Sequence, residues 1–112
     1  MSYEVVPAES FQACAKQLKK RYQSIAEDLK VAIRSLQADP AIGNVIPNGE
    51  GARKLRVRNS SANKGKSGGF RLIYLVQEVP RRRIVLLLVY SKSDQEDVDL
   101  TELRRLIATS RS

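Results

Sequence analysis

Histidine and tryptophan are both absent from these 112 residues, and there is a single cysteine. Without histidine there can be no imidazole acid–base catalysis and no Ser-His-Asp arrangement. One thiol, Cys14, cannot close an intramolecular disulfide or build a zinc site on several thiolates. It falls in an apolar helical stripe, where a small buried hydrophobe is its ordinary role, and its solitude suits a reducing compartment. Long apolar runs are missing as well. The longest, Ile84–Tyr90, has seven residues, whereas a membrane-spanning helix takes about 20. No basic stretch followed by a long apolar one opens the chain. A soluble, cytoplasmic protein is expected, with one domain over residues 1–112 and no membrane partner.

Aromatic residues are few: Tyr3, Phe11, Tyr22, Phe70, Tyr74 and Tyr90. They do not make the aromatic sheet platform on which some RNA-binding domains stack bases, and Phe70 and Tyr74 are expected in the core. Acids are the scarcer charge, twelve Asp/Glu against twenty Lys/Arg, for a net charge of +8. That scarcity is local. Between Arg53 and Arg83 lie ten basic residues and one acid, Glu78. So concentrated a positive field favours a polyanionic partner, by steering and by counterion release. The acids Asp94, Glu96, Asp97 and Asp99 cluster before a terminal helix, whose dipole favours negative charge there. They are read as helix-start charges, so no metal and no small-molecule cofactor is expected.

What is present is a change of hydrophobic period. Tyr3-Glu4-Val5-Val6-Pro7 fits a short strand that Pro7 ends or leaves at an edge. Phe11, Cys14/Ala15 and Leu18, then Ile25, Leu29, Ala32/Ile33 and Leu36, follow helical spacing. One helix over 10–38 would be about 43 Å long, too long for a domain whose radius of gyration should be about 13 Å. Two antiparallel helices are therefore predicted, over 10–21 and 25–37. Ser24 and Glu27 would form a capping box at the second, and Asp39-Pro40 would stop it. Residues 40–51, punctuated by Gly and Pro, should be a loop.

From Arg53 the period is two. Leu55 and Val57 share one face of a strand, and Lys54, Arg56 and Arg58 the other. A polar loop, 59–69, leads to a strand over Phe70–Val79. Pro80 and three arginines make a turn, and Ile84–Tyr90 reads as a strand covered on both faces. Asp99, Glu102, Leu103 and Ile107 outline a closing helix. The class is α+β: an N-terminal strand and helical hairpin packed on a mainly antiparallel sheet, with a C-terminal helix. Lys64-Gly65-Lys66-Ser67 suggests a phosphate loop, but Ser60 stands where that motif needs glycine, and a strand follows where it needs a helix. A basic, glycine-rich loop can still lie along RNA phosphates.

Taken together, the helical hairpin, "ARKLRVR", "KGKSGGFRLIY", "IVLLLVYSKSDQED" and "ELRRLI" resemble the RelE/ParE superfamily of toxins over nearly the whole chain. The Gly-Lys-Ser-Gly-Gly-x-Arg stretch and the Tyr-x-Lys after the last strand are most similar to its HigB-like branch. The resemblance implies the toxin of a type II toxin–antitoxin system, held by a cognate antitoxin protein. For RelE and HigB members it also implies ribosome-dependent, metal-free mRNA cleavage by 2′-hydroxyl attack. ParE members act on gyrase instead, and an inactive nucleic-acid-binding relative would share the fold.

By this resemblance Arg71 contacts the scissile phosphate, and Lys64 or Lys66 serves as base or second phosphate contact. Lys92 is the acid, with Tyr90 in reserve. Arg53, Lys54 and Arg56 match the basic strand. Arg58 and the Arg81, Arg82, Arg83 turn complete the expected RNA-binding set. Crowding of Lys64, Lys66, Arg71 and Lys92 would disfavour each ammonium. RelE carries a further arginine and a tyrosine after the last strand, where this chain has Ser93-Asp94-Gln95-Glu96-Asp97-Val98.

Overall fold

The computed structural model describes residues 3–61 and 68–110. Lys64 and Lys66 lie outside them. The elements are β1 (Glu4–Pro7), α1 (Glu9–Lys19), α2 (Ile25–Ala38), β2 (Asn44–Val45), β3 (Arg53–Val57), β4 (Phe70–Gln77), β5 (Arg83–Ser91) and α3 (Leu100–Ser110). They form one five-stranded sheet in the order β1-β5-β4-β3-β2. β1 runs parallel to β5, and every other pair is antiparallel. The α+β class read from the sequence is the class observed. β2, inside the segment expected to be a loop, is the one added strand, and it is only two residues long.

Alternation along β4 divides the interior into two layers. Phe70, Leu72 and Tyr74 face the hairpin, where they meet Phe11 and Leu18 of α1 and Ile25, Leu29 and Leu36 of α2. Ile73 and Leu75 face the opposite way, toward Leu103 and Ile107 of α3. Each such side chain, fully buried, contributes about 1.5–3 kcal/mol. β5 lies between β1 and β4 with both faces covered, and Ile84–Ser91 is buried throughout. Helices broken at residues 20–24 keep the radius of gyration to 13.4 Å. Among the described residues no helix is long and apolar enough to cross a membrane.

One local expectation is corrected. Ser24 does not cap α2. Its backbone is already helical (φ −84°, ψ −2°), so its hydroxyl is spent elsewhere, on Asp28 Oδ2 at 2.8 Å and Ser61 Oγ at 2.9 Å. Asp28 also accepts the Ser60 N–H at 3.0 Å, which ties α2 to the chain leaving β3. β5 departs from regular alternation. Ile73 pairs with Leu88 but Tyr74 with Leu86, so Leu87 is an extra residue, a bulge. Leu87 and Leu88 both pack on the α3 side. Strict alternation from Val85 would have sent Tyr90 to the hairpin side; the bulge turns it toward α3.

Candidate nucleic-acid interface

The register of the three central strands puts Arg56, Arg71 and Tyr90 in one row. Arg56 is the direct partner of Arg71, and Arg71 of Tyr90. Because of the bulge all three belong to the α3 side, at the end of the sheet where β4 begins and β5 ends. Side chains directly opposite on neighbouring strands have Cβ atoms about 4.5–5.5 Å apart, and like charges so placed repel. Arg71 is half-buried and donates to the carbonyls of Gly68 and of Phe70, the latter at 3.2 Å. Arg56 is exposed and makes no hydrogen bond or ion pair among the described residues. The pair therefore has no internal counter-anion.

Tyr90 completes the row with an unmatched group. Its ring is buried, 7% exposed, and its hydroxyl has no hydrogen-bond partner among the described residues. A buried polar group left unpaired costs about 1–3 kcal/mol. Burial, and secondarily the charge of Asp97, push the phenol above its ordinary value of 10.0, against a smaller opposing effect of Arg71. The hydroxyl is a protonated donor beside two cations.

Lys92 flanks the row. Its N–H donates to the Gly69 carbonyl at 3.0 Å, and its stem lies where a Cβ on Gly68 would come within 2.8 Å. Gly69 has φ +74°, and a Cβ there would meet the Val57 carbonyl at 2.6 Å. Only glycine fits this crossing of β3, β4 and the chain beyond β5. The Lys92 ammonium donates to the Glu96 backbone carbonyl at 2.7 Å and lies 3.6 Å from its carboxylate. Lys54, one row inward, is 3.0 Å from Asp97, and that cation holds the Asp97 carboxyl below its usual value of 3.8. Of the lysines expected to crowd Arg71, Lys92 is thus offset by an acid, and Lys54 beside it is likewise paired.

The remaining expected cations are not brought to the row. Arg53 points to the other face and donates to the carbonyls of Ala41 and Gly43, at 3.2 and 2.7 Å. Together with Tyr74, whose hydroxyl bonds Pro40 and Gly43, it fixes the loop before β2. Arg58 is exposed just past β3. Arg81, Arg82 and Arg83 belong to the opposite end of the β4–β5 hairpin, about 20 Å from Arg71 at 3.3 Å per strand residue. Arg82 stacks on the Tyr3 ring at 4.8 Å and lies 3.6 Å from Glu78, and Arg83 bonds Gln77 at 2.6 Å.

Only Asp99 of the four clustered acids starts α3, accepting the N–H groups of Thr101 and Glu102 at 2.9 and 3.3 Å. Asp94, Glu96 and Asp97 face cations instead. Among the described residues no group of acids or thiols converges to hold a metal ion. Residues the sequence did not single out also meet here. Arg21 grips Asp94 with two bonds, 2.7 and 3.1 Å. Tyr22 packs edge-on to Phe70 at 5.1 Å, and its hydroxyl, bonded to Ser91 and near Ser93, is held below 10.0 chiefly by those hydroxyls. Nothing local in the sequence marks that cluster, since Arg21 and Asp94 are 73 residues apart.

A helical hairpin on a mainly antiparallel sheet, with an arginine row at one end, defines the class: a small α+β domain with a cationic interface. No family model matches the sequence. Among solved structures, the E. coli toxin RelE, as a mutant in its free state, matches with a TM-score of 0.59 at 20% sequence identity. The match covers 86% of this chain and 90% of RelE. The chain has the RelE fold.

Proposed function

We propose that this protein is the toxin of a type II toxin–antitoxin pair, a RelE/ParE-superfamily endoribonuclease of the HigB-like branch that cuts mRNA on the ribosome without metal. The observation that carries the reading is the Arg56–Arg71 pair beside the lone Tyr90 hydroxyl. Two arginines paired across neighbouring strands call for an anion, and the Tyr90 phenol, unpartnered among the described residues, calls for an acceptor. A phosphodiester supplies both, and guanidiniums suit its oxygens in fork geometry.

In this reading the 2′-hydroxyl attacks the adjacent phosphorus as the bond to the 5′-oxygen breaks, leaving a 2′,3′-cyclic phosphate and a free 5′-hydroxyl. Arg71, with Arg56 beside it, stabilises charge building on the non-bridging oxygens. Lys66 or Lys64 takes the 2′-hydroxyl proton. The leaving oxygen receives a proton from Lys92 or Tyr90. Lys92 is partly exposed but engaged by Glu96, and the Tyr90 hydroxyl is buried, so Tyr90 serves only where strand binding uncovers it. Lys54 and Arg58 contact flanking phosphates, and a cognate antitoxin with an acidic or amphipathic segment covers this face.

The test is induced expression in a host without the antitoxin, followed by primer extension on host transcripts. Cuts in step with the reading frame are expected, and none from Arg71→Ala. A DNA-damage response with intact mRNA would indicate a gyrase-directed toxin instead. Unimpaired growth would remove the toxin reading altogether.

A further inference from the structure

Three acids from one four-residue stretch each meet a cation from a different part of the fold. Asp94 takes Arg21, from the turn between the helices, in a two-bond grip at 2.7 and 3.1 Å. Glu96 takes Lys92 at the end of β5, and Asp97 takes Lys54 of β3 at 3.0 Å. Lys54 and Lys92 flank the Arg56–Arg71–Tyr90 row, whereas Arg21 comes from the hairpin side, where Tyr22 packs on Phe70, and meets Asp94 in the chain just beyond β5. Each carboxylate occupies one cation that would otherwise be open to an anion of another molecule.

Arg21 stands out among these cations. Its guanidinium is planar against the Tyr22 ring, 5.0 Å from the centroid, and it presents a fork to two oxygens, a geometry that takes phosphate as readily as carboxylate. The grip is also weak enough to exchange. Side-chain exposure is 54% for Arg21 and 37% for Asp94, 33% and 90% for Lys92 and Glu96, and 31% and 63% for Lys54 and Asp97. Exposed pairs of this kind contribute only about a two- to fivefold bias. The stretch 92–98 forms neither helix nor strand. It is anchored at Ser91, which is 2% exposed, and at Val98, which is 9% exposed, so a rearrangement of the exposed acids between them need not open the core.

We propose that the Asp94–Asp97 segment is a built-in substitute for RNA phosphates, displaced when a strand binds, and that Arg21 is a phosphate-binding residue masked by Asp94 in the free protein. The proposal rests on the nucleic-acid reading of the row and adds the regulation of that site. Displacement releases Arg21, Lys54 and Lys92 together, so the bound strand gains contacts beyond Arg56 and Arg71. The free protein meanwhile shows other polyanions a smaller positive surface.

The test is a double-mutant cycle on the full chain with Arg21→Gln, Asp94→Asn and both together. The probe is a 2′-O-methyl RNA oligonucleotide, which lacks the attacking hydroxyl. Binding is read by anisotropy across salt concentrations for the free strand, and by sedimentation for ribosomes carrying it. Asp94→Asn should tighten binding about two- to fivefold. Arg21→Gln should weaken it and lower the salt slope by about one phosphate contact. In the Arg21→Gln background, Asp94→Asn should have no further effect.

If Asp94→Asn tightens binding by the same factor whether residue 21 is Arg or Gln, the acid acts only through net charge and the proposal is overturned. The function reading then stands. Binding unaffected by Arg56→Ala and Arg71→Ala, or absent in the wild type, overturns both.

Discussion

Arg71 of β4 and Tyr90 of β5 are direct cross-strand partners, and they share a face only because the bulge at Leu87 shifts the register between them. The phenol pays for that position with a buried hydroxyl that bonds nothing among the described residues. Tyr90→Phe removes the unmatched oxygen and leaves the ring. The variant should unfold at the same or higher urea concentration, with a gain of up to about 1 kcal/mol, while cleavage of ribosome-bound mRNA falls about 10²-fold or more. Loss of stability together with activity would show that the hydroxyl has a structural partner, and would remove it as the proton donor.

Arg71→Ala should lose about 10²–10³ in cleavage rate, the usual cost of one preorganised charge-stabilising donor. Its own bonds go to the nearby Gly68 and Phe70 carbonyls, so the fold should survive. Lys92→Ala separates two roles. If Lys92 is the acid, the rate falls as far as in Arg71→Ala. If Tyr90 is the acid, Lys92→Ala costs mainly affinity, seen as a raised KM with kcat retained.

The layers of the fold were legible because the hydrophobic period changes from helical spacing to two at Arg53, and because the helical stretch is too long to stay unbroken. What the sequence hid is non-local. The parallel pairing of β1 with β5 joins segments about 80 residues apart, and no local pattern encodes it. The bulge falls inside an all-apolar run, where Leu87 and Leu88 are indistinguishable from their neighbours. Arg53 is a different kind of miss. Strand parity already put Lys54, Arg56 and Arg58 on one face, which leaves Arg53 on the other. The resemblance grouped Arg53 with Lys54 and Arg56 as one basic strand without regard to that parity, and its guanidinium braces a loop. The capping box at Ser24 failed because a serine hydroxyl with several acceptors in reach need not choose its own helix.

Gly69→Ala should be the most damaging single-methyl change near the row. A left-handed φ costs a non-glycine residue about 1–3 kcal/mol, and here the new Cβ would also meet the Val57 carbonyl at 2.6 Å. Relieving that clash moves the carbonyl that holds the Lys92 N–H. The melting temperature should drop by about 4–8 °C for each kcal/mol lost, and a change confined to activity would contradict the geometry.

Replacing Arg81, Arg82 and Arg83 together by Ala tests the other end of the sheet. Arg82 and Arg83 are already occupied by Tyr3, Glu78 and Gln77, and the turn is about 20 Å from Arg71. The triple variant should bind ribosomes more weakly, with a shallower salt dependence, and should cleave at an unchanged rate once saturated. A fall in the saturated rate would bring this turn into the chemistry.

The four tyrosines should titrate as two classes. Tyr22 is lowered from 10.0, chiefly by its hydroxyl partners. Tyr3 is raised, first by its bond to Glu78, and Tyr74 and Tyr90 are raised, first by burial. Ultraviolet difference titration should therefore show one phenol ionising below pH 10 and three above it, with Tyr22→Phe abolishing the early phase. The signs carry over to stability. A raised folded pKa gives stability that is complete below the unfolded value of about 10 and lost as pH climbs through the folded one. The lowered pKa of Tyr22 works in reverse, contributing above the unfolded value and losing that contribution as pH falls through its folded one. Three groups against one make the protein lose stability on the alkaline side, and Tyr90→Phe, with one raised phenol removed, should flatten that loss. If the urea midpoint of Tyr90→Phe falls between pH 9 and 11 as steeply as that of the wild type, Tyr90 is not the buried neutral phenol assigned here.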